Sequence, residues 1–220
     1  MCARRFHWLR SDVLYLGKVA SRMGQGKRGD RKNTSDYAQY MCITFVQMSA
    51  SDADDLLTFL TANQFPFHVQ QTPREEDVRA RIGSSYYWNE DRQGYWVTQG
   101  EQRLGMVVLE DLQDAESPLF DLRLAESRRG QGIGVKVLRA LCDLVFESMP
   151  KTLRFEGQTR EDNIAMRKTF IRSGFLKEAH YRMGWPTTDG RPMASIAYSI
   201  LRDDWSSGTV TRFEWEDIEP

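Results

Sequence analysis

The chain has 220 residues, 40% hydrophobic and 28% charged, with a formal net charge of −1. This balance suits one sizeable folded core with appendages and excludes fibrous, low-complexity and wholly disordered classes. The near-neutral total is uneven along the chain: residues 1–40 carry nine Lys/Arg against three Asp/Glu, a balance of +6, and residues 41–220 carry 21 against 28, a balance of −7.

No apolar run approaches the length needed to cross a bilayer, and the first residues lack the apolar stretch of a secretory signal. Cys2, Cys42 and Cys142 are odd in number and far apart, and match neither a metal spacing nor a secreted disulfide framework. The expectation is a soluble protein of the reducing cytoplasm, with no membrane partner and no metal.

In chain order, residues 1–40 come first as a basic extension. "GQGKRGDRKNTSDY" (Gly24 to Tyr37) is polar and without periodicity. A disordered extension, a short targeting segment or a start placed too far upstream explains it better than a nucleic-acid arm, so nucleic acid is not an expected partner. Its literal G-x-G-x-x-G (Gly24, Gly26, Gly29) opens no apolar helix and lacks the context of a dinucleotide fingerprint.

Regular patterning begins at Met41 and defines a domain over 41–205, with 206–220 as a tail. "CITFVQM" (Cys42 to Met48) reads as a strand, and Ser51 with Asp54 caps a helix through "ADDLLTFLTAN". Thr72, Pro73 and Glu75 supply the N-cap, first-turn proline and capping-box signals of a second helix. "GYWVTQG", "RLGMVVLEDL" and "PLFDLRLA" follow as three strands, the first two joined tightly at Gly100-Glu101-Gln102. Ile133, Val135, Val137, Leu138, Leu141, Val145 and Phe146 then share one face of a long helix. A strand at "TLRFEG", a helix through "NIAMRKTFIRS" closing at Gly174, and strands in "LKEAHYRMGW" and "MASIAYSIL" complete the domain.

The junction "SRRGQGIG" (Ser127 to Gly134) carries the chemistry. A strand, helix, strand order implies a right-handed crossover between parallel neighbours, which puts this turn at the carboxyl end of a strand. A helix amino terminus exposes unpaired N–H groups and partial positive charge, and glycines remove the Cβ atoms that would hold an anion away. With Arg128 and Arg129 added, the loop reads as a phosphate cradle.

Arg129-Gly130-Gln131-Gly132-Ile133-Gly134 matches R/Q-x-x-G-x-G/A and resembles the acyl-CoA loop of the GCN5-related N-acetyltransferases (GNAT). Asn163, followed eleven and twelve residues later by Gly174-Phe175, resembles the family's second conserved segment. "TREDNIAMRKTFIRSGFLKEAHYR" with "ASIAYSILRDDW" looks most like the ribosomal-protein N-terminal acetyltransferase branch. The resemblance implies an α/β (α+β) fold, a mixed, twisted sheet of six to seven strands flanked by about four helices, with acetyl-CoA as co-substrate between splayed central strands. It implies cofactor contacts from the backbone of Leu122, Arg123 and Leu124, from Arg129, Gly130, Gln131, Gly132, Ile133, Gly134 and Val135, and from Asn163 and Phe170.

Acetyl transfer to an amine requires removal of an amine proton, stabilisation of the thioester oxygen, and departure of a thiolate. The backbone N–H of Leu124 suits the second need, and Asp121, Glu126 and Glu156 are the candidate bases beside the central strands. Many family members carry a tyrosine seven residues after the asparagine, where this chain has Phe170. By resemblance the acceptor, a protein N-terminus or a small amine, enters among Phe65, Phe67, His68, Tyr86, Tyr87, Trp88 and Trp185. Two other readings stay open on the sequence: an acyl-CoA sensor without turnover, which Phe170 favours, and a ribosome- or RNA-associated adaptor working through the basic arm.

Overall fold

A computed structural model describes residues 42–215, so readings of the basic arm lie outside the described residues. Among the described residues seven strands and four α-helices follow in the expected order, and a fifth, short helix comes after the last strand. Strand β1 (Ile43–Gln47) leads through a 3-10 turn (Ala50–Asp52) into α1 (Ala53–Ala62). The turn is closed two residues before the expected Ser51/Asp54 pair, where the Ser49 N–H donates to Asp52 Oδ2 at 2.9 Å. Helix α2 (Glu75–Gly83) begins at Glu75 rather than at the Thr72/Pro73 signal. Arg74 occupies the cap position in an extended conformation, and its guanidinium pairs with Asp77 at 2.9 Å.

Strands β2 (Gln93–Gln99), β3 (Gln102–Glu110) and β4 (Leu119–Leu124) form the antiparallel meander. Then come α3 (Ile133–Ser148), β5 (Arg154–Arg160), α4 (Ile164–Arg172), β6 (Leu176–Trp185), β7 (Met193–Leu201) and α5 (Arg202–Ser207). The sheet order is β1-β2-β3-β4-β5-β7-β6. Alternation along β3 divides the core: Met106 and Val108 face the layer of α1 and α2, and Val107 and Leu109 face that of α3.

The functional consequence lies between β4 and β5. They run parallel and meet at a single pair, Leu119 with Glu156, although β4 pairs with β3 and β5 with β7 along their lengths. Two sub-sheets therefore diverge from one point, leaving the edge of Leu122–Leu124 without a strand partner. Gly105 of β3 lets the end of β4 come close, because a Cβ there would stand 2.2 Å from the Arg123 carbonyl oxygen. Gly105→Ala is expected to push β4 outward, costing about 1–3 kcal/mol of stability and weakening acetyl-CoA binding. Denaturant melts and calorimetry check both.

Helix α5 fastens the end of the domain to α3. Arg202 donates to the carbonyls of Phe146, Met149 and Thr152 at 2.7–2.8 Å, setting a cation at the negative end of α3, and Trp205 packs on Phe146.

Candidate active site

After β4 a 3-10 turn (Glu126–Arg128) delivers the chain to Gly130 and Gly132, both at φ +73°. A side chain at either would be strained in that conformation, yet a Cβ would meet nothing within 4 Å. The glycines thus shape the backbone and leave open space over it. Gly132 is the N-cap of α3, whose first turn carries no acidic residue to neutralise the helix terminus.

A cavity of about 350 Å³ runs from this loop along Leu122–Leu124 to α4. Its walls include Arg123, Arg128, Arg129, Lys168 and Arg172 and no carboxylate. Bare amides, open space and charges of basic sign alone fit the diphosphate of acetyl-CoA. Gly130, Gly132, Ile133, Gly134 and Val135 all line this cavity. Gln131 turns away and donates to the Ser127 carbonyl at 2.7 Å.

Arg129 lines the cavity but uses its guanidinium as a strap: Nε donates to the Leu124 carbonyl at 3.0 Å and Nη2 to the Gln64 carbonyl at 2.6 Å. Burial pushes its pKa down, opposed by the Glu126 charge. The Ala125 N–H is taken by Leu104 of β3 at 2.9 Å. Because successive N–H groups of a strand point to opposite edges, the Leu124 N–H points to the edge that β5 has left. Asn163 caps α4, accepting from the Met166 N–H at 3.2 Å and donating to Thr159 Oγ1 at 3.0 Å, and it lines the cavity as well.

A second cavity, about 510 Å³, adjoins the first and shares Phe67, His68, Leu122, Arg123, Asn163 and Met166 with it. Arg81, Tyr86, Glu110, Asp121 and Trp185 line it as well. Of the aromatic residues expected around an acceptor, Phe67, His68, Tyr86 and Trp185 stand here. Phe65 lines only the first cavity, while Tyr87 belongs to the core beneath α1 and α2, and Trp88 lines neither.

The three candidate carboxylates separate clearly. Asp121 faces the second cavity, held by Arg123 at 2.8 Å and by His68, whose Nε2 lies 2.9 Å from Oδ1. Burial opposes its ionisation, but Arg123 and His68 together outweigh burial and hold the carboxyl well below the usual range. Glu126 instead accepts from the Gln64 N–H at 2.5 Å, with its own N–H donating to Asn63 Oδ1 at 2.9 Å. Glu156 is buried against Arg154 at 2.5 Å and accepts from Gln158 at 2.8 Å. Neither Glu126 nor Glu156 reaches either cavity.

Phe170 departs from the expected cofactor contact. It is fully buried and stacks on Tyr198 at 4.7 Å beside Phe120 and Phe175, lining neither cavity. Gly157 makes room for it, since a Cβ there would stand 2.8 Å from Phe170 Cζ. Phe170→Tyr is expected to destabilise the fold by about 1–3 kcal/mol, by forcing a hydroxyl into this cluster, and to leave turnover no higher. Thermal melts beside steady-state rates test this.

Sequence reasoning did not single out Glu110 or the His68–Asp121 pair. Burial raises the pKa of Glu110, the Asp121 charge raises it further, and Arg92 at 3.5 Å pulls against both. Among the described residues no group of three His, Cys, Asp or Glu could hold a metal ion.

Comparison with known proteins agrees with this geometry. A spermidine N-acetyltransferase from Vibrio cholerae, in complex with CoA and spermine, superposes with a TM-score of 0.61 at 14% identity, covering 77% of this chain and 99% of that one. AAC(6')-Ib in complex with ribostamycin and coenzyme A gives 0.61 at 18%, covering 75% and 96%. A probable acetyltransferase gives 0.61 at 22%, covering 74% and 95%. At such identities these likenesses speak for the fold. No curated protein matches the sequence. The acetyltransferase (GNAT) domain model matches residues 43–176, more than half of the chain. With the glycine cradle, the basic cavity and the parted strands already in place, that match assigns the chain to the GNAT family, the acetyl-CoA-dependent N-acetyltransferases.

Proposed function

We propose that the acceptor is a primary amine, of a small molecule or a protein N-terminus, that enters the second cavity and attacks the thioester directly where the two cavities meet. The observation that carries this reading is the shared wall at His68, Leu122, Arg123 and Asn163, beside the opening between β4 and β5. The amine ligands of the spermine and ribostamycin complexes support an amine in this role. The same reading keeps residues 41–205 as the transferase unit, in a reducing cytoplasm where Cys42 and Cys142 stay free thiols.

His68 is the proton acceptor in this mechanism. Ionised Asp121 can only accept a hydrogen bond, so the imidazole presents Nε2–H to it and keeps the lone pair on Nδ1. That nitrogen takes the proton that an incoming ammonium must lose before attack, and the second proton, shed by the nitrogen as the tetrahedral adduct collapses, passes through solvent to the released thiolate. Acetyl-CoA supplies the activated acyl group, and the Leu124 N–H stands ready for the thioester oxygen. With Phe170 in the core, the thiolate departs without a tyrosine at that position, which its stability as a leaving group permits.

Full-length protein incubated with acetyl-CoA and a panel of amines should release free thiol at a rate that depends on the amine. Amine-independent release, or none with any amine, would overturn the reading.

A further inference from the structure

The domain's acidic balance is not expressed in the acceptor cavity. Its charged lining residues are Arg81, Glu110, Asp121 and Arg123. Asp121 is neutralised by Arg123 at 2.8 Å, and Glu110 faces Arg92 at 3.5 Å. A polycation entering here would find both carboxylates already opposed. Arg81 of α2 is the lining charge without an ion-pair contact among the described residues; its side chain bonds to that of Tyr87, and Asp77, one turn earlier, feels its charge. Its guanidinium is steadied over the Tyr86 ring, 5.2 Å from the centroid.

A second donor stands in the same walls. The indole N–H of Trp185, on β6, is buried and has no hydrogen-bond partner among the described residues. An unpaired buried donor is costly and is relieved by an acceptor oxygen. One fixed cation and one unmatched N–H therefore ask for the same chemistry from the ligand.

We propose that the acceptor amine also carries an anionic oxygen group, a carboxylate in the simplest case, which Arg81 and the Trp185 indole N–H recognise. This rests on the acceptor entering the second cavity, as above. Guanidinium and indole give specificity through the non-reacting end of the substrate, leaving the His68 side of the cavity to the amine. Such an arrangement acts chiefly on KM, because the anion is gripped alike before and during acyl transfer.

The test uses matched series of equal chain length: ω-amino carboxylates, their amides, and diamines, for example 4-aminobutanoate, 4-aminobutanamide and 1,4-diaminobutane. At the best chain length the full-length enzyme should favour the carboxylate over the amide by about tenfold in kcat/KM, the worth of one charge-assisted contact. Arg81→Gln should bring that ratio towards one through KM, Arg81→Lys should keep most of it, and Arg81→Glu should turn preference to the diamine. Trp185→Phe should lower the ratio while retaining the aromatic wall. A wild-type preference for diamines, equal rates for carboxylate and amide at every length, or a parallel loss for all three acceptors in Arg81→Gln would each overturn the inference. Should no amine of any series speed thiol release, the acyl-transfer reading itself fails, a result separate from a mere lack of carboxylate preference.

Discussion

Gly132→Glu is expected to abolish acetyl-CoA binding while the fold persists, with affinity by calorimetry falling at least about a hundredfold, or about 2.7 kcal/mol. Three effects act together. Gly132 sits at φ +73°, where a side chain adds strain of about 1–2 kcal/mol. The substitution sets a carboxylate at the α3 N-cap, in the space otherwise open to the diphosphate. Its charge repels phosphate where the helix terminus would attract it. Nothing packs within 4 Å of the new Cβ, so near-native circular dichroism should accompany the loss. Unchanged affinity would remove the cofactor site from this loop.

His68→Gln should cut kcat by about 10²–10⁴-fold in steady-state rates, the usual worth of a positioned general base. Asp121→Asn should lower kcat less, because the imidazole remains but loses the carboxylate that fixes its tautomer. Asp121 also predicts a stability signature. Its folded-state pKa is depressed, so its stabilising contribution is present above the unfolded value near about 3.9 and is lost as pH falls through the folded value. Acid titration should therefore destabilise wild type more than Asp121→Asn, as read by thermal melts. A kcat unmoved by His68→Gln would transfer the proton to another group, with Glu110 the next carboxyl on that wall.

Elements governed by local periodicity were legible from the sequence. The apolar face of α3 and the alternating strands appear where spacing puts them, and the motif at Arg129–Gly134 marks the cavity mouth. Pairings decided by tertiary approach were not. His68 and Asp121 are 53 residues apart and meet only because the loop after α1 folds over β4. Glu110 reads as the polar end of a strand until the sheet turns it beside Asp121. Arg129 matches the motif, yet the direction of its side chain follows from two carbonyls, one local and one at Gln64. Phe170 is expected against the cofactor by resemblance alone, and the neighbouring rings determine that it packs inward.

The meeting of β4 and β5 at one residue pair has a mechanical corollary. Where main-chain ladders cease, the gauge of the slot is maintained by ring volumes: Phe120 from one half of the sheet leans on Phe155 at 5.0 Å from the other, with Phe170 and Phe175 wedged alongside. Trimming or enlarging these rings retunes the aperture itself, which makes a cluster that reaches the second cavity only through Phe120 a dial for thioester fit.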